Sequence, residues 1–338
     1  MPKAKHILVI RLSAMGDVAM IVPVLRAFSQ QNPEVKLTVL TRSFFKPFFK
    51  DLKNVQVFAA DLKGKHKGVL GLFKLSKELK GLGIDAVADL HNVLRTRILK
   101  LFFLGTIFKQ IDKGRAEKKA LIKGTFFQQL KTTHQRYANV FEQLDYKVDL
   151  SNPTFPETIV LTQNAQQLIG NDIEKWIGIA PFAQYESKMY PLDLLEIVIA
   201  SLSKKHKILL FGGGEREIKI LNTYQGKFEN VINLSGKLTL EEELSVISNL
   251  DVMLSMDSAN GHIAAMFGKK VITIWNVTHP FAGFYPFNQP KDYSLLPDKE
   301  QFPLIPTSIY GNKYPEDYKE ASRTITPDIV IEKIETTL

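Results

Sequence analysis

Near its start the chain carries an acid where open α/β sheets build active sites. The apolar run Ile7–Ile10 passes through Arg11, Leu12, Ser13, Ala14, Met15 and Gly16 to Asp17, and an apolar helical pattern opens at Val18. Ligands of such sheets collect outside the carboxyl ends of the strands, where a carboxylate can take a proton as a general base. Asp is also among the best helix N-caps, so this stretch alone leaves catalyst and cap both open.

A second stretch, Val252–Ser255, ends in Met256, Asp257 and Ser258 and opens at once into Ala259, Asn260, Gly261, His262 and the small apolar residues that follow. The unpaired N–H groups of a first helical turn bind phosphate, and Ser258 and His262 can add donors; an ordinary β-to-α turn would look the same. The run Ile208–Phe211 leads into Gly212, Gly213, Gly214 and Glu215. Glycines let backbone approach a ligand, and an acid at that place takes ribose hydroxyls, unless the glycines only make a tight turn. Lys188, on the loop after the strand Ile177–Ala180, is placed to neutralise a phosphate or is one more solvated lysine.

The basic groups Lys63, Lys65, His66, Lys67 and Arg95, Arg97, Lys100 are candidate contacts for acidic acceptor groups, against the commoner reading of solvated charged faces. From Arg95 to Lys119 basic residues interleave with Leu101, Phe102, Phe103, Leu104, Ile107 and Phe108, a pattern that suits peripheral attachment to anionic lipid. His91 ends another strand and is expected beside Asp17. No histidine pair has metal-ligand spacing, no serine sits in G-x-S-x-G, and neither G-x-G-x-x-G after the first strand nor G-x-x-x-x-G-K-[ST] is present. Zinc enzymes, serine hydrolases, dinucleotide dehydrogenases and P-loop enzymes lose support accordingly.

These loops need strands and helices behind them. Strand-like runs recur at Val35–Leu40, Val55–Phe58, Ala86–Leu90, Val231–Leu234 and Val271–Trp275. Helix-period stretches fall at Val18–Phe28, Val69–Leu79, Leu192–Leu202, Leu240–Leu250 and Ile263–Phe267. Alternation of this kind predicts an α/β fold with parallel sheets covered on both faces. It breaks once, at Leu150–Pro156, where two prolines and turn residues interrupt both periods. A cut there gives two Rossmann-like, doubly wound domains, 1–156 and 157–338, facing a central cleft. From Asn276 to Arg323 prolines and aromatics replace the alternation and predict a packed excursion. Thr326–Pro327 then opens a short terminal helix.

With 338 residues the chain suits two domains, and 45% hydrophobic with 23% charged residues suits a globular enzyme. It has no cysteine, which excludes disulfides and thiolate metal sites. The N-terminus lacks a signal-peptide pattern and no apolar run approaches the roughly 20 residues that span a bilayer, so the expected compartment is the cytoplasm. Residues 1–155 hold 27 Lys and Arg against 12 Asp and Glu, a balance of +15, whereas 156–338 balance at −6. One half is built to meet an anion, whether nucleic acid, anionic lipid or phosphorylated glycan.

Taken together, these motifs resemble glycosyltransferase family 9, the ADP-heptose:lipopolysaccharide heptosyltransferases. ILVIRLSAMGDVAMIVPVLRAF is similar to the family's N-terminal signature, and MDSANGHIAAMFGKKVITIW to its nucleotide-binding signature. SGKLTLEEELSVISNLDVMLS has the family's spacing, and HQRY at His134–Tyr137 fits as well. The resemblance covers essentially the whole chain and weakens after Asn276. It implies a GT-B fold with an N-terminal acceptor domain and a C-terminal nucleotide-sugar domain, working without metal or other cofactor. Asp17 is then the general base, Lys188 and the Asp257 turn hold the donor phosphates, Glu215 takes the ribose, and Leu238 lies where the backbone meets the base. Gln184, Ser258, Ala259 and His262 complete the expected donor set. Ser13, Gly16, Lys63, Lys65, His66, Lys67, His91 and Arg95 form the expected acceptor set. The chain departs from the family where Ala259 replaces a glycine of the phosphate turn, and where Ala183 and Gln184 replace hydroxyl-bearing residues before Lys188.

The reading that follows is an inverting transferase moving a sugar, heptose from ADP-heptose, onto a lipopolysaccharide core or related anionic, lipid-linked glycan. It is expected in the cytoplasm, in peripheral contact with the inner membrane through its basic half and without a nucleic-acid partner. A sugar-nucleotide epimerase or hydrolase on the same fold, and a non-catalytic glycan-binding protein, are the alternatives; nucleotide release from donor alone distinguishes the first of these.

Overall fold

Near-continuous runs of Val, Ile and Leu form the strands, as expected of parallel strands buried on both faces. The computed structural model describes residues 4–170 and 175–338. Up to Thr154 the order is β1 (His6–Ile10), α1 (Met15–Gln31), β2 (Lys36–Thr41), β3 (Val55–Ala59), α2 (Gly68–Lys80), β4 (Ala86–Asp89), α3 (Leu94–Leu101), β5 (Ile107–Gln110), α4 (Arg115–Ile122) and α5 (Thr133–Glu142). Then follow α6 (Gln163–Ile169), β6 (Trp176–Ala180), α7 (Leu192–Leu202), β7 (Lys207–Leu210), α8 (Glu215–Lys227), β8 (Val231–Asn233), α9 (Leu240–Asn249), β9 (Val252–Met256), α10 (Ala259–Met266), β10 (Lys270–Ile274), β11 (Ser294–Leu295) and α11 (Pro327–Thr337).

The chain divides into two units. The first, residues 1–113 and 133–154, holds a parallel sheet of order β3-β2-β1-β4-β5. One of its cores joins Leu8, Ile10 and Leu40 to Leu72, Leu75 and Leu79 of α2 and Leu99 of α3. The second, residues 114–132 and 155–338, holds a parallel sheet of order β11-β10-β9-β6-β7-β8. Its core runs from Ile177, Leu210 and Leu254 to Leu195, Val198 and Leu202 of α7 and Val330 and Ile334 of α11.

Two expectations need correction. A single cut after residue 156 does not describe the chain, because 114–132 belongs to the second unit. There Leu121 of α4 and Leu130 cluster with Ala282 and Ile309, flanked by Phe127, Phe281 and Phe284, and Leu130 N–H donates to Phe281 O at 3.0 Å. The basic and aromatic run Arg95–Lys119 therefore is not one surface. Its end lies in the other unit, Phe103 is buried, and Ile107–Gln110 form the edge strand β5. The stretch 276–323 is a packed excursion of short 3-10 turns, where Val277, Ile305, Tyr318 and Ala321 form a small core with Phe302 and Tyr314. Among the described residues no helix is long and apolar enough to cross a membrane.

Candidate active site

Strand order reverses between β1 and β4 in the first sheet and between β6 and β9 in the second. At such a switch point neighbouring loops leave in opposite directions and open a crevice at the strands' carboxyl ends. Each unit places its chemistry-bearing residues at its own crevice.

In the first unit Asp17 lies in the opening turn of α1; the N-cap is Ala14, and the Asp17 side chain caps the helix from the third helical position. Its Oδ2 accepts from Ala14 N–H at 3.3 Å and pairs with Arg11 Nη2 at 2.5 Å. Arg11 is nearly buried, with Nη1 donating to Leu90 O at 2.8 Å and its guanidinium 5.9 Å from the Tyr137 ring centroid. The Tyr137 hydroxyl donates to Asp17 O at 3.5 Å. Both side-chain contacts of Asp17 fall on Oδ2, and Oδ1 has no partner among the described residues. A carboxylate held by one oxygen has a fixed direction and keeps the other for a proton.

His91 follows β4 and comes to this site as expected: its Nδ1 accepts from Leu12 N–H at 3.4 Å. Burial, then the charges of Arg11 and Lys113, push its pKa down to about 3, with Asp17 acting in the opposite direction. His91 is thus neutral at physiological pH and is not a proton carrier there. An unfolded histidine takes up a proton below about pH 6.5, and the folded one does so only near 3. The stability that neutral His91 contributes is complete above pH 6.5 and is lost as pH falls below it. The stability difference between wild type and His91→Gln, followed by urea melts, is expected to shrink by about 1.4 kcal/mol per pH unit from 6.5 down to 4.5. A constant difference would show that His91 titrates alike in both states.

The loop after β3 is stapled by a residue first assigned to ligand contact. His66 is buried, its Nδ1 accepts from Asp61 N–H at 3.1 Å and its Nε2 lies 3.3 Å from Glu78 Oε2. Asp61 accepts from the Gly64 and Lys65 N–H groups, and Lys65 Nζ pairs with Glu78 at 2.8 Å. His66 therefore shapes the loop rather than meeting an acceptor, and Lys65 is already engaged. Lys63 and Lys67, after β3, and Arg95, after β4, are exposed, and Ser13 and Gly16 are half-buried around Asp17.

In the second unit five adjacent strands contribute. Lys188 follows β6, Asp257 follows β9, Thr278 follows β10, Glu215 follows β7 and Leu238 follows β8. Lys188 Nζ pairs with Asp257 Oδ2 at 2.8 Å, and Thr278 Oγ1 donates to the same oxygen at 2.9 Å. Asp257 is itself an anion, and its contacts fix the direction of the Lys188 ammonium and the Thr278 hydroxyl. Ser258 is the N-cap of α10 but makes no capping bond, its Oγ lying 3.1 Å from Ser255 Oγ. The first-turn N–H groups of α10 thus lack a side-chain acceptor from the cap and suit an anion. Ala259 occupies the first helical position, and His262, one turn on, is largely buried. Gly261 packs on the sheet, because a Cβ there would lie 3.2 Å from Ser255 Oγ and 3.4 Å from Val271 Cγ1.

Glu215 starts α8 and is exposed, whereas Glu217 folds back to accept from Gly213 N–H at 2.7 Å. Gln184 is exposed and Leu238 half-exposed. Among the described residues no group of three or more His, Cys, Asp or Glu is arranged to hold a metal ion.

Residues 72–301, more than half of the chain, match the model of glycosyltransferase family 9 (heptosyltransferase). The chain belongs to glycosyltransferase family 9. The lipopolysaccharide core heptosyltransferase OpsX of Haemophilus influenzae is 24% identical over 289 residues, covering 82% of this chain and 80% of that one. The glycosyltransferase family 9 structure from Veillonella parvula superposes with a TM-score of 0.76 at 19% identity over 98% of this chain and 97% of that one. The Escherichia coli heptosyltransferase WaaC, solved with ADP, does so at 0.69 and 18% identity over 98% and 100%. This family-9 protein is therefore a nucleotide-sugar glycosyltransferase with the paired α/β domains of the GT-B fold.

Some residues of this family-9 site escaped sequence reasoning. Arg11 and Tyr137 reach Asp17 from the end of β1 and from α5; the arginine stands next to an apolar strand and the tyrosine within HQRY, but neither pattern says that they meet Asp17. Thr278 and Gly311 come from the irregular excursion. Gly311 has φ +80°, and a Cβ there would lie 2.5 Å from Lys188 Cγ, while Ser187 Oγ donates to Gly311 O at 2.5 Å. The excursion thus forms the wall on which Lys188 rests. Gly311→Ala is expected to weaken nucleotide binding about tenfold and cost about 1–2 kcal/mol of stability, since the left-handed backbone is itself strained for alanine. Gly226→Ala on α8, where a Cβ meets nothing within 4 Å, is the control. Equal nucleotide affinities in calorimetric titrations of the two variants would remove Gly311 from the positioning of Lys188.

Proposed function

We propose that the protein transfers heptose from ADP-heptose to a lipopolysaccharide core acceptor with inversion at the anomeric carbon. Asp17 Oδ1 takes the proton of the acceptor hydroxyl as its oxygen bonds to the anomeric carbon. The bond from that carbon to the diphosphate oxygen breaks on the opposite face, and the electron pair leaves with ADP. Lys188, Ser258, His262 and the α10 N-terminus stabilise the charge growing on the leaving diphosphate, an electrostatic role that asks for no metal. Glu215 takes the ribose, and Gln184, Leu238 and Ala259 complete the donor side. Ser13, Gly16, Lys63, Lys67 and Arg95 meet the anionic, lipid-linked acceptor on the cytoplasmic side of the membrane.

The observation that carries this reading is the pairing of Asp17 with Arg11 through Oδ2 alone at the switch point of its sheet. The names of the relatives, a core heptosyltransferase and a heptosyltransferase solved with ADP, support the choice of donor and acceptor. Thermal-shift measurements with ADP-, UDP-, GDP- and TDP-sugars test the donor. ADP-heptose at 100 times its Kd stabilises by about 2.7 kcal/mol, and a larger shift with another nucleotide sugar would replace it. Turnover undiminished by EDTA and an inverted anomer by NMR are the outcomes expected of the mechanism; a retained anomer would reject it.

A further inference from the structure

We infer that the outer face of α2 and α3 is a docking surface for an anionic lipid bilayer. α2 turns Leu72, Leu75 and Leu79 into the core. Opposite them, at helical spacing, lie Leu70, 85% exposed, Phe73, and Lys74, Lys77 and Lys80. α3 buries Thr96 and Leu99 and leaves Leu94 and Leu101 on its outer face with Arg97 between them. Leu101 is 66% exposed, and Leu104, just beyond the helix, 84%. The Phe73 and Phe102 rings meet at 5.4 Å, which joins the two helices into one surface, and Lys77 Nζ sits 4.5 Å from the Phe73 ring centroid.

Leucines this exposed, set among lysines, mark a place of interaction rather than a solvated face. The charges decide the partner. The acids of residues 62–110 are Glu78, Asp85 and Asp89. Glu78 is tied to Lys65 and His66, Asp85 accepts from the Lys5 and His6 N–H groups, and Asp89 is buried under the His91 and Asn92 N–H groups. A second copy meeting this face by the same face would bring lysine against lysine. A soluble anion would leave Leu70, Leu101 and Leu104 in water. An anionic bilayer satisfies both halves, taking the leucines below its headgroups and the lysines among its phosphates. α2 begins directly after the loop that carries Lys63 and Lys67, and α3 carries Arg95 in its first turn, directly after the loop from β4. Docking through them holds those loops at the surface from which a lipid-linked acceptor is presented, and here the inference rests on the proposed acceptor.

Flotation with vesicles of phosphatidylglycerol and phosphatidylcholine, free of any glycolipid, tests the surface without calling on turnover. The protein is expected to float with these vesicles at low salt and at least tenfold less with phosphatidylcholine alone. The variant Leu70→Ser/Leu101→Ser/Leu104→Ser is expected to lose tenfold or more of the binding. Lys74→Gln/Lys77→Gln/Lys80→Gln is expected to lose about fivefold per charge. Both variants should melt like the wild type and keep turnover on a deacylated, water-soluble acceptor. Variants that float like the wild type, or a wild type that binds neutral vesicles equally, overturn the inference. So does a dimer in sedimentation velocity that the leucine substitutions dissolve. Normal flotation without turnover would instead count against the proposed reaction.

Discussion

Asp17→Asn is expected to lower kcat by about 10²–10⁴-fold, the usual contribution of a positioned general base, equivalent to about 3–5 kcal/mol of barrier. Asparagine keeps an oxygen that can accept from Arg11 and Ala14 N–H, so the fold and donor affinity are expected to change little. Asp17→Ala should also fold, because Arg11 retains Leu90 O and the Tyr137 ring and Asp17 itself is partly open to solvent. It should lose turnover to the same extent. Single-turnover kinetics with saturating donor checks this, with the ADP-induced melting shift as the measure of an intact donor site. A variant with undiminished kcat would falsify the assignment of the base. Loss of activity together with loss of the ADP shift would show that Asp17 holds structure rather than a proton.

Lys188→Met is expected to reduce kcat by about 10²–10³-fold, the scale of losing one preorganised group at developing charge. It should also weaken ADP binding, because the lysine meets the phosphates in ground and transition state alike. The substitution leaves Asp257, 8% exposed, without its cation. Breaking a buried pair from one side costs about 3–5 kcal/mol, so a lower Tm is expected as well. The double variant Lys188→Met/Asp257→Asn separates the two effects. It removes the stranded charge and should recover most of the lost stability while turnover stays low. Recovery of activity in the double variant would mean that Lys188 serves only to neutralise Asp257. An unchanged ADP affinity in Lys188→Met would remove the lysine from the phosphate site.

Much of this architecture is readable along the chain. Parallel strands buried on both faces must be apolar throughout and helices must repeat every 3.6 residues, so the strands around Ile7–Ile10 and Val252–Ser255 and the helices Val18–Phe28 and Leu192–Leu202 can be found locally. The place of Asp17 and Asp257 at strand ends follows from those elements. β5 was missed because a four-residue edge strand carrying Lys109 and Gln110 looks like the basic run around it. His66 was misread because a histidine among lysines looks exposed, and only Phe58 and Glu78, brought beside it by folding, bury it.

Composition and local pattern by themselves determined the α/β class, the two motif-bearing loops, the basic first half and, through its signatures, the family. They could not say that Arg11 and Tyr137 hold Asp17, that Thr278 and Gly311 set Lys188, or that residues 114–132 join the second unit. Most of those contacts link positions far apart in the chain, Asp17 and Tyr137 by 120 residues and Ser187 and Gly311 by 124. Their geometry depends on which strands become neighbours at each switch point, a consequence of sheet order that no window of sequence contains.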